Sequence, residues 1–331
     1  MNVTILGDGG WGTALGLVLH RNGHRVRIWG PFPDYTSQVR RRRENVKFLP
    51  GVRIPADIEW VSERPVAVDG AEVVVLAMPS KFYRTVLESF ASLIPSSAMI
   101  VSVSKGFDPE SRDRLTITAE RVLRHAPVAA LSGPSHAEEV AQRIPTAVVI
   151  GCQQPSIASA LQAVFNSAEF RVYTSDDVAG VELGGALKNC IAIAAGVSDG
   201  IGYGDNTKAA LITRGLAEIT RLGVALGAHS ATFSGLSGIG DLIVTCASKL
   251  SRNRSVGERI GAGETLKDIL KSMEQVAEGV WTCTAAIAIA KKAGVEIPII
   301  EQVQAILYEG RDPKSAVQAL MSREPKPERQ R

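Results

Sequence analysis

The chain has 331 residues, 45% of them hydrophobic and 21% charged, with a formal net charge of +3 at pH 7. That length allows a large core and two domains, and the composition excludes a disordered or fibrous chain. A charge this close to balance gives no reason to expect nucleic acid as a partner, and the one dense basic cluster, Arg40 to Arg43, reads as a solvated helix end.

A strand pattern begins at residue 2, so no signal peptide is expected. Short apolar runs then alternate with helical segments: NVTIL (2–6), HRVRIW (24–29), AEVVVLAM (71–78), AMIVSVS (98–104), PVAAL (127–131), TAVVIGC (146–152) and FRVY (170–173). Runs apolar on both faces and separated by helices predict an α/β fold with a doubly wound, mostly parallel sheet. After Thr174 the strand signal stops, and 176–200, 206–227, 252–262, 282–294 and 297–309 read as helices. The expected division is a dinucleotide-binding domain over 1–175, a helical substrate domain over 176–322 and a disordered, proline-containing tail over 323–331. Cys152, Cys190, Cys246 and Cys283 lie far apart, with no CxxC pair and no histidine at metal spacing, which fits reduced thiols and no metal site. No uncharged apolar run approaches the ~18 residues of a membrane span, so the expected location is the cytoplasm.

Gly7-Asp8-Gly9-Gly10-Trp11-Gly12 fits GxGxxG between the first strand and the first helix. Gly7 makes the tight turn, Gly9 admits a pyrophosphate and Gly12 lets helix pack on strand, while the helix N-terminus offers N–H groups to phosphate. A site specific for NAD(H) places an acid ~20 residues on, at the end of the second strand. Here that strand ends Trp29-Gly30-Pro31, with neither acid nor base, and Asp34 comes late. Arg40–Arg43 could reach a 2′-phosphate if the next helix folds back, so NADP(H) is expected over NAD(H). A carboxylate beside a pyrophosphate would repel it, so Asp8 is expected to point into solvent.

Ligands of an open α/β sheet bind beyond the carboxyl ends of its strands. Met78-Pro79-Ser80, Ser104-Lys105-Gly106 and Gly133-Pro134-Ser135 follow three such ends, and Ser135-His136-Ala137 is expected to open a helix. Singly each reads as a loop or a cap. Together they suit an anionic substrate. In VELGGALKNC (181–190), Lys188 stands among small and apolar residues with no partner at helical spacing. Alone, that describes a surface lysine with its stem on an apolar face, and the alternative is an amine in a cleft.

ELGGALKNCIAIAAGVSDGIGYGDNTKAALITRGLAEITRLGVALGA (182–228) and FSGLSGIGDLIVTCASKLSRNRSVG (233–257) resemble the bacterial, cytosolic NAD(P)-dependent glycerol-3-phosphate dehydrogenases. GxGxWGTAL at the start, SKG (104–106), GPSHAEEV (133–140) and EGVWT (278–282) resemble the same family in the same order. The resemblance implies a Rossmann-type domain followed by an all-α domain, usually in a homodimer. It implies hydride transfer between a nicotinamide and dihydroxyacetone phosphate, giving the phospholipid precursor sn-glycerol 3-phosphate. On it, Lys188 matches the catalytic lysine, and Asn189 and Thr245 match polar residues lining the same site. Lys105, Gly133, Ser135, Asp241, Ser251, Arg252 and Asn253 match substrate contacts. Trp11, Lys105, Ala137, Arg252, Val276 and Glu278 match cofactor contacts, alongside the loop glycines Gly7, Gly9, Gly10 and Gly12. Asp8, Gly10 and Gly30-Pro31 depart from the family's usual residues.

Ketone reduction needs a hydride and a proton donor with a pKa near the working pH. Lys188 is expected to be that donor, with Asn189 and Thr245 as candidates to polarise the same oxygen. Ser251-Arg252-Asn253 at a helix start offers N–H groups and a two-pronged cation to a phosphate, and an N-cap beside a solvated arginine is the plainer alternative. Asp241 would hold Lys188 or Lys105, accept from a substrate hydroxyl, or serve only as a turn aspartate. Lys208 and Arg214 are expected on the surface. Rival readings are a dehydrogenase for a 3-hydroxy acid or sugar acid, and a dinucleotide sensor without turnover.

Overall fold

A computed structural model describes residues 1–124, 127–324, 327 and 328. Ten strands appear in chain order: β1 (Asn2–Leu6), β2 (Arg25–Trp29), β3 (Glu44–Asn45), β4 (Leu49–Arg53), β5 (Glu59–Val61), β6 (Val73–Leu76), β7 (Met99–Ser102), β8 (Val128–Ser132), β9 (Thr146–Gly151) and β10 (Phe170–Ser175). Eight form one sheet in the order β10-β9-β8-β7-β6-β1-β2-β5, and β3 and β4 make a separate hairpin. Every pairing in the large sheet is parallel except β8 with β9. Val73 to Leu76 of β6 are buried throughout, as a strand covered on both faces requires. The strand order reverses between β1 and β6, so the crevice beyond their carboxyl ends is where ligands of such sheets bind.

All seven expected runs are strands, within a residue or two of their expected ends. The sequence reading missed β3, β4 and β5 because they are two to five residues long, too short for a period to show.

From Val178 onward the described elements are helical. The segments expected over 176–200, 206–227, 252–262, 282–294 and 297–309 correspond to helices Val178–Ile201, Asp205–Ala225, Arg252–Gly261, Glu278–Ala293 and Pro298–Tyr308. Helices at Leu236–Ala247, Leu266–Ser272 and Pro313–Met321 were not expected. The first begins with π turns over Leu236–Gly240, where SGIG hides the helical period. The expected disorder of the 323–331 tail falls mostly outside the described residues.

Helix Val178–Ile201 is the core of this half. The Asp177 carboxylate caps it by accepting from Gly180 N at 2.8 Å, and Gly202, at φ 91°, closes it. Every residue from Leu183 to Ser198 is buried, as expected of a helix apolar on all sides. By length and composition it alone among the described residues could cross a bilayer, yet 83% of its apolar window is buried inside the molecule. Glu182 and Lys188 interrupt it, which is why the sequence shows no uncharged run of that length. Helix Arg252–Gly261 crosses it at backbone contact: a β-carbon on Gly196 would lie 1.9 Å from the Arg254 carbonyl oxygen, and one on Gly257 2.1 Å from that of Ile193.

Two surface expectations need correction. Arg40–Arg42 are exposed, but Arg43 is half-buried and donates to the carbonyls of Pro55 at 3.4 Å and Ile58 at 3.3 Å. Lys208 is half-buried against Asp199 at 2.7 Å, whereas Arg214 is exposed. The four cysteines are buried and free of disulfides.

Candidate active site

The glycine loop joins β1 to helix Gly10–Arg21. Gly7 sits at φ +124°, and a β-carbon there would lie 2.5 Å from the carbonyl oxygen of Ala77, just beyond β6. A β-carbon on Gly12 would come 2.2 Å from the Gly7 carbonyl oxygen, so the loop closes only with glycine at both positions. Nothing lies within 4 Å of where a β-carbon on Gly9 would be, and no side chain caps the helix. Its first amides are therefore left to an anion. A side chain at Gly10 would collide with the Phe48 carbonyl oxygen, 2.5 Å away, and would touch Ala137 Cβ at 3.7 Å. That contact places Ala137 beside the loop and excludes a hydroxyl residue at position 10. Trp11 Nε1 is buried without a partner among the described residues. This open loop, with its uncapped amides, fits a dinucleotide.

Asp8 does not point into solvent. It is 7% exposed, and its Oδ2 lies 2.3 Å from where a β-carbon on Gly30 would be. Its backbone carbonyl accepts from Asn45 Nδ2 at 2.7 Å. Burial raises its pKa to about 6, against the lowering effects of its own backbone N–H and of Lys47.

The centre of the site is one carboxylate holding two amines. Asp241, 1% exposed, accepts from Lys188 Nζ through Oδ1 and from Lys105 Nζ through Oδ2, the latter at 2.7 Å. Burial would raise the Asp241 pKa, but Lys105 and Lys188 hold it below the usual carboxylate value. Lys188 is buried and also donates to Thr245 Oγ1 at 2.6 Å. The Thr245 hydroxyl donates in turn to the Asp241 carbonyl at 2.6 Å. Burial pulls the Lys188 pKa down to about 7; Asp241 opposes the shift and Lys105 adds to it. Asp241, expected to hold one lysine or the other, is hydrogen-bonded to both.

The small residues around Lys188 let other elements approach. A β-carbon on Gly184 would lie 2.3 Å from the Ser237 carbonyl oxygen, and one on Gly185 2.4 Å from Ser132 Oγ and 3.6 Å from Lys105 Cδ. The strand ends of the sheet therefore reach the core helix at Lys188. Gly133, at φ +145°, turns the chain after β8, and its carbonyl accepts from Lys105 at 3.4 Å and from the Ser135 hydroxyl at 2.9 Å. The helix expected after it is short, Ala137–Ala141.

Arg252 is exposed and donates to the Val276 carbonyl at 2.9 Å. Ser251 caps its helix, accepting from Arg254 N at 3.2 Å, and Asn253 links Asn189 Oδ1 at 3.0 Å to Gly279 N at 2.8 Å. The plain reading of Ser251 as a cap is therefore observed, and Asn253 faces protein. Glu278 reaches across to the sheet half and accepts from the Ser80 amide at 3.0 Å and from its hydroxyl.

Sequence reading passed over His136. Its Nε2 is buried without a partner among the described residues, and burial lowers its pKa, as do Lys188 and Lys105. Its place between Ser135 and Ala137 was the available signal.

Comparison with known proteins gives a family. A model of the NAD-dependent glycerol-3-phosphate dehydrogenase N-terminus matches residues 2–158, and one of the C-terminus matches 177–318. A glycerol-3-phosphate dehydrogenase [NAD(P)+] of Geobacillus thermodenitrificans is 51% identical over 99% of this chain and 96% of its own. One of Fusobacterium nucleatum is 47% identical over 98% of each chain. The crystal structure of glycerol-3-phosphate dehydrogenase from Coxiella burnetii superposes with a TM-score of 0.94 at 37% identity, covering 97% of this chain and 99% of that one. With the glycine loop, the lysine pair and matches along almost its whole length, the chain belongs to the NAD-dependent glycerol-3-phosphate dehydrogenase family.

Proposed function

We propose that the protein catalyses reversible hydride transfer between NAD(P)H and dihydroxyacetone phosphate, giving sn-glycerol 3-phosphate, with Lys188 moving the proton. The observation that carries the reading is the state of Lys188. A charged lysine has three N–H donors, and two of them are taken by Asp241 and Thr245. The third is left for a substrate oxygen. A pKa of about 7 lets the amine give a proton in reduction and take it back in oxidation. The nicotinamide coenzyme supplies the hydride when bound in the glycine-loop half. Because Thr245 donates to the Asp241 carbonyl, it orients Lys188 rather than polarising the ketone. Asn189, whose Nδ2 makes only a 3.5 Å contact with the Gly185 carbonyl among the described residues, is the group left to do that.

Arg252 spends one N–H on Val276, and its remaining donors suit a phosphate, with Lys105 as a second cation. Ser251 and Asn253 contribute by capping and tethering that helix. Residues 1–175 serve as the dinucleotide domain and 176–322 as the substrate domain in this reading. Four buried, unpaired thiols support a reducing, cytoplasmic setting, and the homodimer and the supply of phospholipid precursor rest on the family resemblance.

Both coenzymes satisfy this chemistry. The expected lean to NADP(H) rested on the missing acid at the strand end and on Arg40–Arg43, of which Arg40–Arg42 are exposed at the end of helix Pro33–Arg42.

The test is coenzyme oxidation by the purified protein with dihydroxyacetone phosphate and, separately, with unphosphorylated dihydroxyacetone. Turnover should drop about a hundredfold without the phosphate. No turnover with either compound by folded, coenzyme-binding protein would overturn the assignment.

A further inference from the structure

We propose that Asp8 reads the adenosine ribose of the coenzyme and makes NADH the preferred partner over NADPH. This deepens the reading that the glycine loop binds the dinucleotide and rests on it. Sites of this build hold a carboxylate at the end of the second strand, where it meets the ribose hydroxyls. Here β2 ends at Trp29, and Gly30 follows with no side chain. The carboxylate arrives from the loop instead. A β-carbon on Gly30 would lie 2.3 Å from Asp8 Oδ2 and 2.7 Å from its carboxyl carbon. Asp8 therefore occupies the space that an acid at position 30 would enter, and only glycine at 30 leaves room for it. The departures at 8 and 30 become one arrangement: the strand end carries only glycine, and the acid comes from the loop.

Three observations make that carboxylate a reader of hydroxyls. Asp8 is 7% exposed, and its Oδ2 has no hydrogen-bond partner among the described residues. A buried acceptor without a donor is costly, and a ribose 2′-hydroxyl is a donor. Lys47 is a cation acting on it, and Arg40–Arg42 are exposed. A 2′-phosphate would bring like charge against Asp8.

The experiment is equilibrium binding of NADH and of NADPH, followed by coenzyme fluorescence, without substrate. The proteins are the wild type, Asp8→Ala and Asp8→Asn, each checked for fold by circular dichroism. The wild type should bind NADH at least about tenfold more tightly than NADPH, and Asp8→Ala should cut that ratio about tenfold by weakening NADH and strengthening NADPH. Asp8→Asn keeps the shape and one acceptor oxygen, so the ratio should move the same way by less; it carries the test if the alanine variant misfolds. A wild type that binds both equally or favours NADPH overturns the proposal, as does a ratio unchanged in the variants. A folded wild type that binds neither coenzyme would instead defeat the glycine-loop reading beneath it.

Discussion

Lys188 shows how far a residue's chemistry depends on neighbours remote in sequence. Its own helix offers no partner, and the sign of its pKa shift could not be read from VELGGALKNC. The partner that matters, Asp241, lies 53 positions away. With a pKa near 7 the amine is charged below that pH and neutral above it. The second-order rate constant for reduction should therefore fall as pH rises through about 7, and that for oxidation should fall as pH drops through the same region. Asp241 is the influence that raises this pKa, so Asp241→Asn should move both limbs toward lower pH by about one unit or more. Steady-state rates from pH 5.5 to 9 check this, and limbs unmoved in the variant would remove Asp241 from the account. Asp8 teaches the same lesson in reverse: electrostatics alone pointed it to solvent, but Gly30 opens a buried place for it.

At the level of elements, the parallel strands were legible because burial on both faces leaves unbroken apolar runs, as in VVVL of β6. The helix over Leu236–Ala247 was not, because glycines needed for its π turns erase the apolar period. Glycines also set the crossing of helices Val178–Ile201 and Arg252–Gly261, and with it the place of Arg252 in the proposed phosphate site. A methyl group on Gly257 would meet the Ile193 carbonyl oxygen at 2.1 Å, and backbone cannot rotate away as a side chain can. Gly257→Ala should cost about 1–3 kcal/mol in denaturant unfolding and raise KM for the phosphorylated substrate by displacing Arg252. An unchanged midpoint and KM would mean that the crossing tolerates wider separation than the contact distances suggest.

Across the whole molecule, the site exists only where the sheet and the helices meet. Lys105 and Asp241 lie 136 positions apart, and Ser80 and Glu278 lie 198 apart. Arg114 and Thr116 add a third junction by donating to Glu182 of the core helix, at 2.5 Å and 2.9 Å. No single segment outside the glycine loop shows this, so read one by one those segments gave only caps, turns and a surface lysine. The resemblance supplied the residues, and the fold supplies the reason they act together. The central claim is that the Lys188 amine delivers the proton. Chemical rescue of Lys188→Ala tests it most directly, with NADH and dihydroxyacetone phosphate and a series of small primary amines added at fixed pH. Turnover should fall about 10²–10⁴-fold in the variant and recover with rising amine concentration, to a degree that follows each amine's pKa. Near-wild-type turnover without added amine, or a deep loss that no amine restores in a folded, coenzyme-binding variant, would contradict the account.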